Sequence, residues 1–248
     1  MAGHSKWANI KHRKGAQDAK RGKIFTKLIK EISIAAKLGG GDTETNPRLR
    51  LAIQNAKGQN MPKDNIERAV KKATGADATD YMELTYEGYA PGGIAVFVEC
   101  STDNQNRTVS AVRSYFTKVG GSLGKNGSLE FIFDRKGIFE FNMPEGGLDM
   151  DEFELEMADA GAEDIEVMDD LIVITSAMED FGAVNKKLED MGIEVASAGL
   201  KRIPNNTSTV DNDTLTKVMK LIDKLEDDDD VQQVYHNLEI ADGQEELI

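Results

Sequence analysis

Tyr81-Met-Glu-Leu-Thr-Tyr-Glu-Gly-Tyr89, Ala90-Pro-Gly-Gly93 and Ile94-Ala-Val-Phe-Val-Glu-Cys-Ser101 decide the fold of this chain. The first and third segments read as strands, and the third is a nearly continuous apolar run suited to a buried position. Ala90–Gly93 is the turn between them. From Ala16 to near Gly75 the periodicity is helical, and after the hairpin the two periods mix.

On the N-terminal side, Ile24, Phe25, Leu28, Ile29, Ile32, Ala35 and Ala36 recur at spacings of three and four. They predict a helix from Ala16 with one buried face, ended by Gly39-Gly-Gly41. Asn46 is a natural N-cap, with Pro47 at the first helical position, where its missing N–H costs nothing. That helix runs from Arg48 to about Lys57 and stops at Gly58. Pro62 starts a third, with Ile66, Ala69 and Val70 inward. Residues 1–15 carry no apolar period and read as an arm that orders on binding.

On the C-terminal side, Thr108, Val109, Val112, Tyr115 and Phe116 outline a helix, and Leu129–Phe133 a strand. The following order is strand Ile138–Phe141, helix Met150–Ala160, strands Ile165–Met168 and Leu171–Thr175, helix Asp180–Met191 and strand Val195–Ile203. Such a βαββαβ order is ferredoxin-like. Helix Thr214–Leu225 and strand Val231–His236 remain to complete the sheet begun at residues 81–133. The expected fold is therefore α+β and multidomain. A basic helical domain spans residues 1–77, and a discontinuous α+β domain spans 78–134 plus 205–248. A ferredoxin-like domain at 135–204 is inserted into the second.

Charge separates these parts. The whole chain carries a net charge of −14. Residues 1–73 nevertheless hold 12 Lys and 5 Arg against 6 Asp and Glu, a net +11, while the remaining 13 basic and 38 acidic residues give −25. Such asymmetry points to a nucleic-acid partner for one part only. No apolar run approaches the roughly 20 residues that cross a bilayer. The N-terminus leads into no hydrophobic segment of a secretory signal. The single cysteine, Cys100, fits a core position in a reduced, cytoplasmic protein.

Several stretches resemble the YebC/PmpR family. They are Ala2-Gly-His-Ser-Lys-Trp-Ala-Asn-Ile-Lys-His-Arg-Lys14, Asp18-Ala-Lys-Arg-Gly-Lys-Ile-Phe-Thr26, Leu38-Gly-Gly-Gly-Asp42 and Asn46-Pro-Arg-Leu-Arg50. Met61-Pro-Lys-Asp-Asn65, Tyr86-Glu-Gly-Tyr-Ala-Pro-Gly-Gly93, Thr102-Asp-Asn-Gln-Asn-Arg-Thr108 and Val234-Tyr-His-Asn237 continue the likeness in order along the chain. It is weakest over about 137–203, and Ala73 stands where the family pattern has glycine. The resemblance implies a three-domain DNA-binding transcriptional regulatory protein. The chain is also similar to the mitochondrial translational activator of cytochrome oxidase. That similarity, and the likeness to bacterial members of the family, implies the alternative of a ribosome-associated translation factor that binds rRNA and relieves stalled synthesis, for instance at polyproline.

The residues themselves supply a candidate interface: Lys6, Lys11, Arg13, Lys14, Lys20, Arg21, Lys23, Lys27 and Lys30, nine cations in 25 residues. Cations at this density neutralise phosphates and release condensed counterions; about six contacts on duplex DNA give a log–log salt slope near −5. Trp7 either stacks on a base or folds back as a hydrophobic anchor. Asp103, Asn104, Asn106 and Arg107 either contact nucleic acid or cap the helix that follows, and the two roles are compatible. Asp227–Asp230 reads as a solvated acidic run. His4, His12 and His236 lack metal-ligand spacing, and Gly88–Gly93 lacks the Lys-Ser/Thr of a phosphate loop. The expectation is a nucleic-acid-binding regulator without catalytic activity, cofactor or metal. Its partner is DNA, or rRNA on the ribosome, the latter favoured by the charge split and by the lack of an evident recognition helix. The oligomeric state stays open, and a monomer is compatible with the sequence.

Overall fold

Gly40 adopts φ +85°, a conformation only glycine takes without strain, and it closes the first helix. The structure, a computed structural model, describes residues 17–76, 78–244 and 247; for residues 17–21 it describes the backbone alone. Helix α1 spans Gln17–Gly39, α2 Pro47–Gly58 and α3 Lys63–Ala73. The expected buried face of α1 is only partly buried: Ile32, Ala35 and Ala36 are inside, whereas Ile24 is exposed. The described chain divides into two units. Residues up to Lys27, Thr79–Asp134 and those from Pro204 onward form one; Leu28–Ala78 and Arg135–Ile203 form the other.

In the second unit, Asn46 caps α2 as the sequence predicts, accepting from the Leu49 amide at 3.1 Å. Its Nδ2 also donates to the Ala35 and Gly40 carbonyls, both at 2.8 Å, so one buried amide satisfies the end of α1 and the start of α2. Strands β4 (Phe133–Asn142), β5 (Ala162–Met168), β6 (Leu171–Ala177) and β7 (Ser197–Pro204) form a sheet in the order β5-β6-β4-β7. β6 pairs antiparallel with both β4 and β5. Helices α5 (Met150–Asp159) and α6 (Phe181–Asp190) supply Phe153, Met157, Val184 and Leu188 to a core with Phe139 and Phe141. α2 packs here too. Asn55 exchanges two hydrogen bonds with the Ala198 backbone, at 2.7 and 2.8 Å. A Cβ on Gly58 would lie 2.5 Å from the Ala196 carbonyl oxygen, so this approach requires glycine.

In the first unit, β1 (Met82–Tyr89), β2 (Ala95–Thr102), β3 (Ser122–Leu123) and β8 (Val231–His236) form an antiparallel sheet in the order β3-β1-β2-β8. Helices α4 (Gln105–Val119) and α7 (Asn212–Glu226) pack Val112, Phe116 and Leu221 against Val96, Val98 and Cys100 on one face. Ala95 and Phe97 point the other way, to Leu129, Phe133 and Tyr235. β2 is thus covered on both faces, which is why its apolar run is continuous rather than alternating.

Of Leu129–Phe133, expected as a strand, residues 129–132 are a turn and Phe133 opens β4. Glu87, a buried carboxylate, accepts from the amides of Gly127 and Leu129 at 2.7 Å each and holds that segment out of the sheet. Leu129 and Phe133 point inward while Phe131, which a strand would place on the same face, is exposed; only the sequence alternates, not the burial. The edge position passes to Ser122–Leu123.

Candidate nucleic-acid interface

α1 carries the described part of the basic segment. Lys6, Trp7, Lys11, Arg13 and Lys14 lie outside the described residues. Lys20 and Arg21 lie on α1, whose backbone alone is described at those positions. Lys23, Lys27 and Lys30 follow at spacings of four and three, which keeps them on neighbouring turns. All three are half-buried rather than fully solvated.

Lys23 and Lys27 meet the end of α7. The Lys23 ammonium donates to the Asp227 carboxylate at 2.6 Å and to its carbonyl at 3.1 Å. The Lys27 ammonium donates to the Glu226 carbonyl at 3.1 Å. These carbonyls belong to the last turn of α7, where intrahelical donors run out and the helix dipole is negative.

The Asp103–Arg107 segment begins α4. Asn104 is its N-cap and accepts from the Arg107 amide at 3.0 Å, so the capping role expected there is real. Asn106 is exposed, and its carbonyl accepts from Ser110. The Arg107 guanidinium makes four contacts: Asp230 Oδ2 at 2.6 and 3.0 Å, Asp103 Oδ1 at 2.9 Å and Thr102 Oγ1 at 3.2 Å. Hydrogen bonding to Asp230, then to Asp103, raises the Arg107 pKa further above its ordinary value.

Both clusters therefore converge on Asp227–Asp230, which is solvated only in part: Asp227 and Asp229 are exposed, whereas Asp228 is half-buried and Asp230 buried. Asp228 accepts from the Tyr115 hydroxyl at 3.0 Å and, through its other oxygen, from the Asp230 amide at 2.9 Å. Burial, and then the bond to Asp228, raises the Tyr115 pKa to about 12. Asp230 is buried; it accepts from Thr108 Oγ1 at 3.0 Å, and its carbonyl accepts from the Ser101 amide at 2.8 Å. The sequence places Tyr115 on a helix and Asp228 and Asp230 in an acidic run, but it gives none of them a partner. The one local signal for them was the position of the run, wedged between an amphipathic helix and an apolar strand. Among the described residues, no group of three or more His, Cys, Asp or Glu is arranged to hold a metal ion. No described helix is long and apolar enough to cross a membrane.

An α+β chain with two antiparallel sheets has known counterparts. A solved structure from Aquifex aeolicus, titled a conserved hypothetical protein, superposes with a TM-score of 0.84 at 45% identity, covering 96% of this chain and 98% of that one. A protein from Amoebophilus asiaticus named "Probable transcriptional regulatory protein" is 57% identical over 240 residues, covering 96% of this chain and 98% of its own length. One of the same name from Treponema denticola is 55% identical over 245 residues, with 98% of both chains covered. The TACO1/YebC N-terminal domain matches residues 5–76, and the TACO1/YebC second and third domain matches residues 81–238. The chain belongs to the TACO1/YebC family.

Proposed function

We propose that this protein is a nucleic-acid-binding regulator of gene expression, a DNA-binding transcriptional regulatory protein acting in the cytoplasm without catalysis, cofactor or metal. The charge split, +11 over residues 1–73 against −25 beyond, carries nucleic-acid binding as such, and the choice of transcriptional regulation rests on the names of the relatives. A basic segment on an acidic body is attracted to phosphate while the body is repelled by it, which fixes the side that binds. The names of the relatives from Amoebophilus asiaticus and Treponema denticola support the same reading. Within it, the arm residues Lys6, Lys11, Arg13 and Lys14 act with Lys20, Arg21, Lys23, Lys27 and Lys30 as phosphate contacts, and Trp7 stacks on a base. Asp103, Asn104, Asn106 and Arg107 form a secondary contact, in which Arg107 is the weakest member because its guanidinium already serves two carboxylates. We further read the chain as three domains, with a ferredoxin-like unit at 135–204 inserted into the second. The strand order β5-β6-β4-β7 supports this.

Duplex-DNA binding measured beside ribosome co-sedimentation, both at physiological salt, tests the reading. Saturable DNA binding at micromolar affinity or better is expected, with a salt slope near −5 for about six contacts. Sedimentation with ribosomes in the absence of DNA binding overturns it in favour of rRNA as the partner. Deleting residues 1–23 should abolish DNA binding while the α+β body stays folded by circular dichroism.

A further inference from the structure

Lys23 and Lys27, two of the cations that would grip phosphate, are already engaged by an anionic surface of the same unit. That surface has the features of a phosphate mimic. It combines the Asp227 carboxylate with the Asp227 and Glu226 carbonyls at the negative end of α7. It is also pre-formed. Asp227 is the C-cap of α7, its amide donating to the Asp223 carbonyl at 2.9 Å. The next residue, Asp228, is tied to Tyr115, and Asp230 to Arg107 and Thr108. A turn fixed at three of its four residues presents its charge without a further ordering cost.

We propose that the Asp227–Asp230 turn is an autoinhibitory lock on the basic helix. Nucleic acid must displace Asp227 from Lys23, and the α7 terminus from Lys27, before α1 contributes its full charge. The inference rests on the nucleic-acid reading above. In the locked state the lysines count little toward binding, so affinity is set mainly by cations N-terminal to Lys23. In the open state each released lysine adds one phosphate contact. The Lys23–Asp227 pair is the weak point of the lock, because both side chains are substantially exposed, at 39% and 61%. That is the property a reversible lock needs: strong enough to bias the lysines, weak enough for a polyanion to open.

The test is Asp227→Asn in the full chain. Asparagine is tolerated at a helix C-terminus and keeps an oxygen for Lys23 but removes the charge. Glu145→Gln, an exposed change in the other unit, is the control for net charge. Two probes are used, immobilised heparin eluted by salt and a duplex DNA titrated by fluorescence anisotropy. D227N should elute from heparin at higher salt than E145Q. It should also bind DNA about twofold to fivefold more tightly, the range an exposed ion pair spans, with a salt slope steeper by about one. Equal behaviour of D227N and E145Q on heparin, including no retention of either, overturns the lock. A heparin shift without DNA binding by any variant leaves the lock standing and overturns DNA as the partner. Tighter heparin retention by the wild type than by D227N would mean that the turn docks α1 for binding instead of restraining it, and also overturns the lock.

Discussion

The two ends of the Asp227–Asp230 turn hold cations in opposite ways. At one end Asp227, 61% exposed, meets Lys23 through a single carboxylate contact and a carbonyl. At the other, Asp230 keeps only 9% of its side-chain surface and receives two guanidinium nitrogens and a threonine hydroxyl on one oxygen. The chemistry is the same, carboxylate to cation, but the consequences differ. A desolvated carboxylate surrounded by donors is costly to leave unpaired, so Arg107 is committed to the fold. A solvated one competes with water and salt, so Lys23 stays exchangeable. Burial of the acid, together with the forked geometry of the guanidinium, separates a structural cation from an available one.

The sharpest way to break this contrast is Asp230→Asn. It removes the charge that Arg107 and Thr108 share, and a loss of about 2–3 kcal/mol is expected, the upper range for hydrogen bonds to a charged group. Urea unfolding measures it. DNA affinity, determined on the folded variant, should stay within about twofold. A variant as stable as the wild type would place Asp230 in the same weak class as Asp227, and the distinction would fail.

Lys23→Gln with Lys27→Gln probes the other end, and its effects should be inverted. Stability changes by less than about 0.5 kcal/mol, as for exposed positions. Affinity for duplex DNA falls about tenfold, and the salt slope becomes shallower by up to about two. The reverse pattern, an unfolding effect with unchanged affinity, would make these two lysines structural and remove them from the interface.

What could be read from residue order follows the same division. Asn104 and Asn46 are legible as caps because the amides they accept lie three residues on. The buried run Ile94–Ser101 is legible because its length and apolarity are local. The partners of Asp230 and Asp228 are not: Arg107 and Tyr115 lie 123 and 113 residues away in sequence, and only the packing of α4 beside α7 brings them there. A run of four aspartates looks solvated when nothing nearby can neutralise it. The Leu129–Phe133 turn failed for a related reason. Its apolar alternation is local, whereas Glu87, which keeps it out of the sheet, sits 42 residues before Leu129. The basic segment was legible as charge, but its engagement by the end of α7 was not, since Lys23 and Asp227 are 204 residues apart.

The smallest effect belongs to the middle of the turn. Tyr115→Phe deletes the hydrogen bond to Asp228 while keeping the ring in place, so a loss of about 1 kcal/mol is expected near neutral pH. The pH dependence is more informative than the size. Burial and Asp228 hold the Tyr115 hydroxyl protonated up to about pH 12, whereas in the unfolded chain it ionises at its ordinary value of 10.0. A group whose folded pKa is raised contributes fully below its unfolded pKa and loses that contribution as pH climbs through the folded one. The stability gap between wild type and Y115F should therefore be constant up to about pH 10 and narrow toward pH 12. Absorbance titration of tyrosinate gives an independent reading. Burial raises Tyr86 as well, so the late-titrating fraction should shrink in Y115F without vanishing. If Tyr115 instead ionises at its ordinary value of 10.0, Asp228 does not hold it, and the turn lacks the central anchor that lets its two ends act differently.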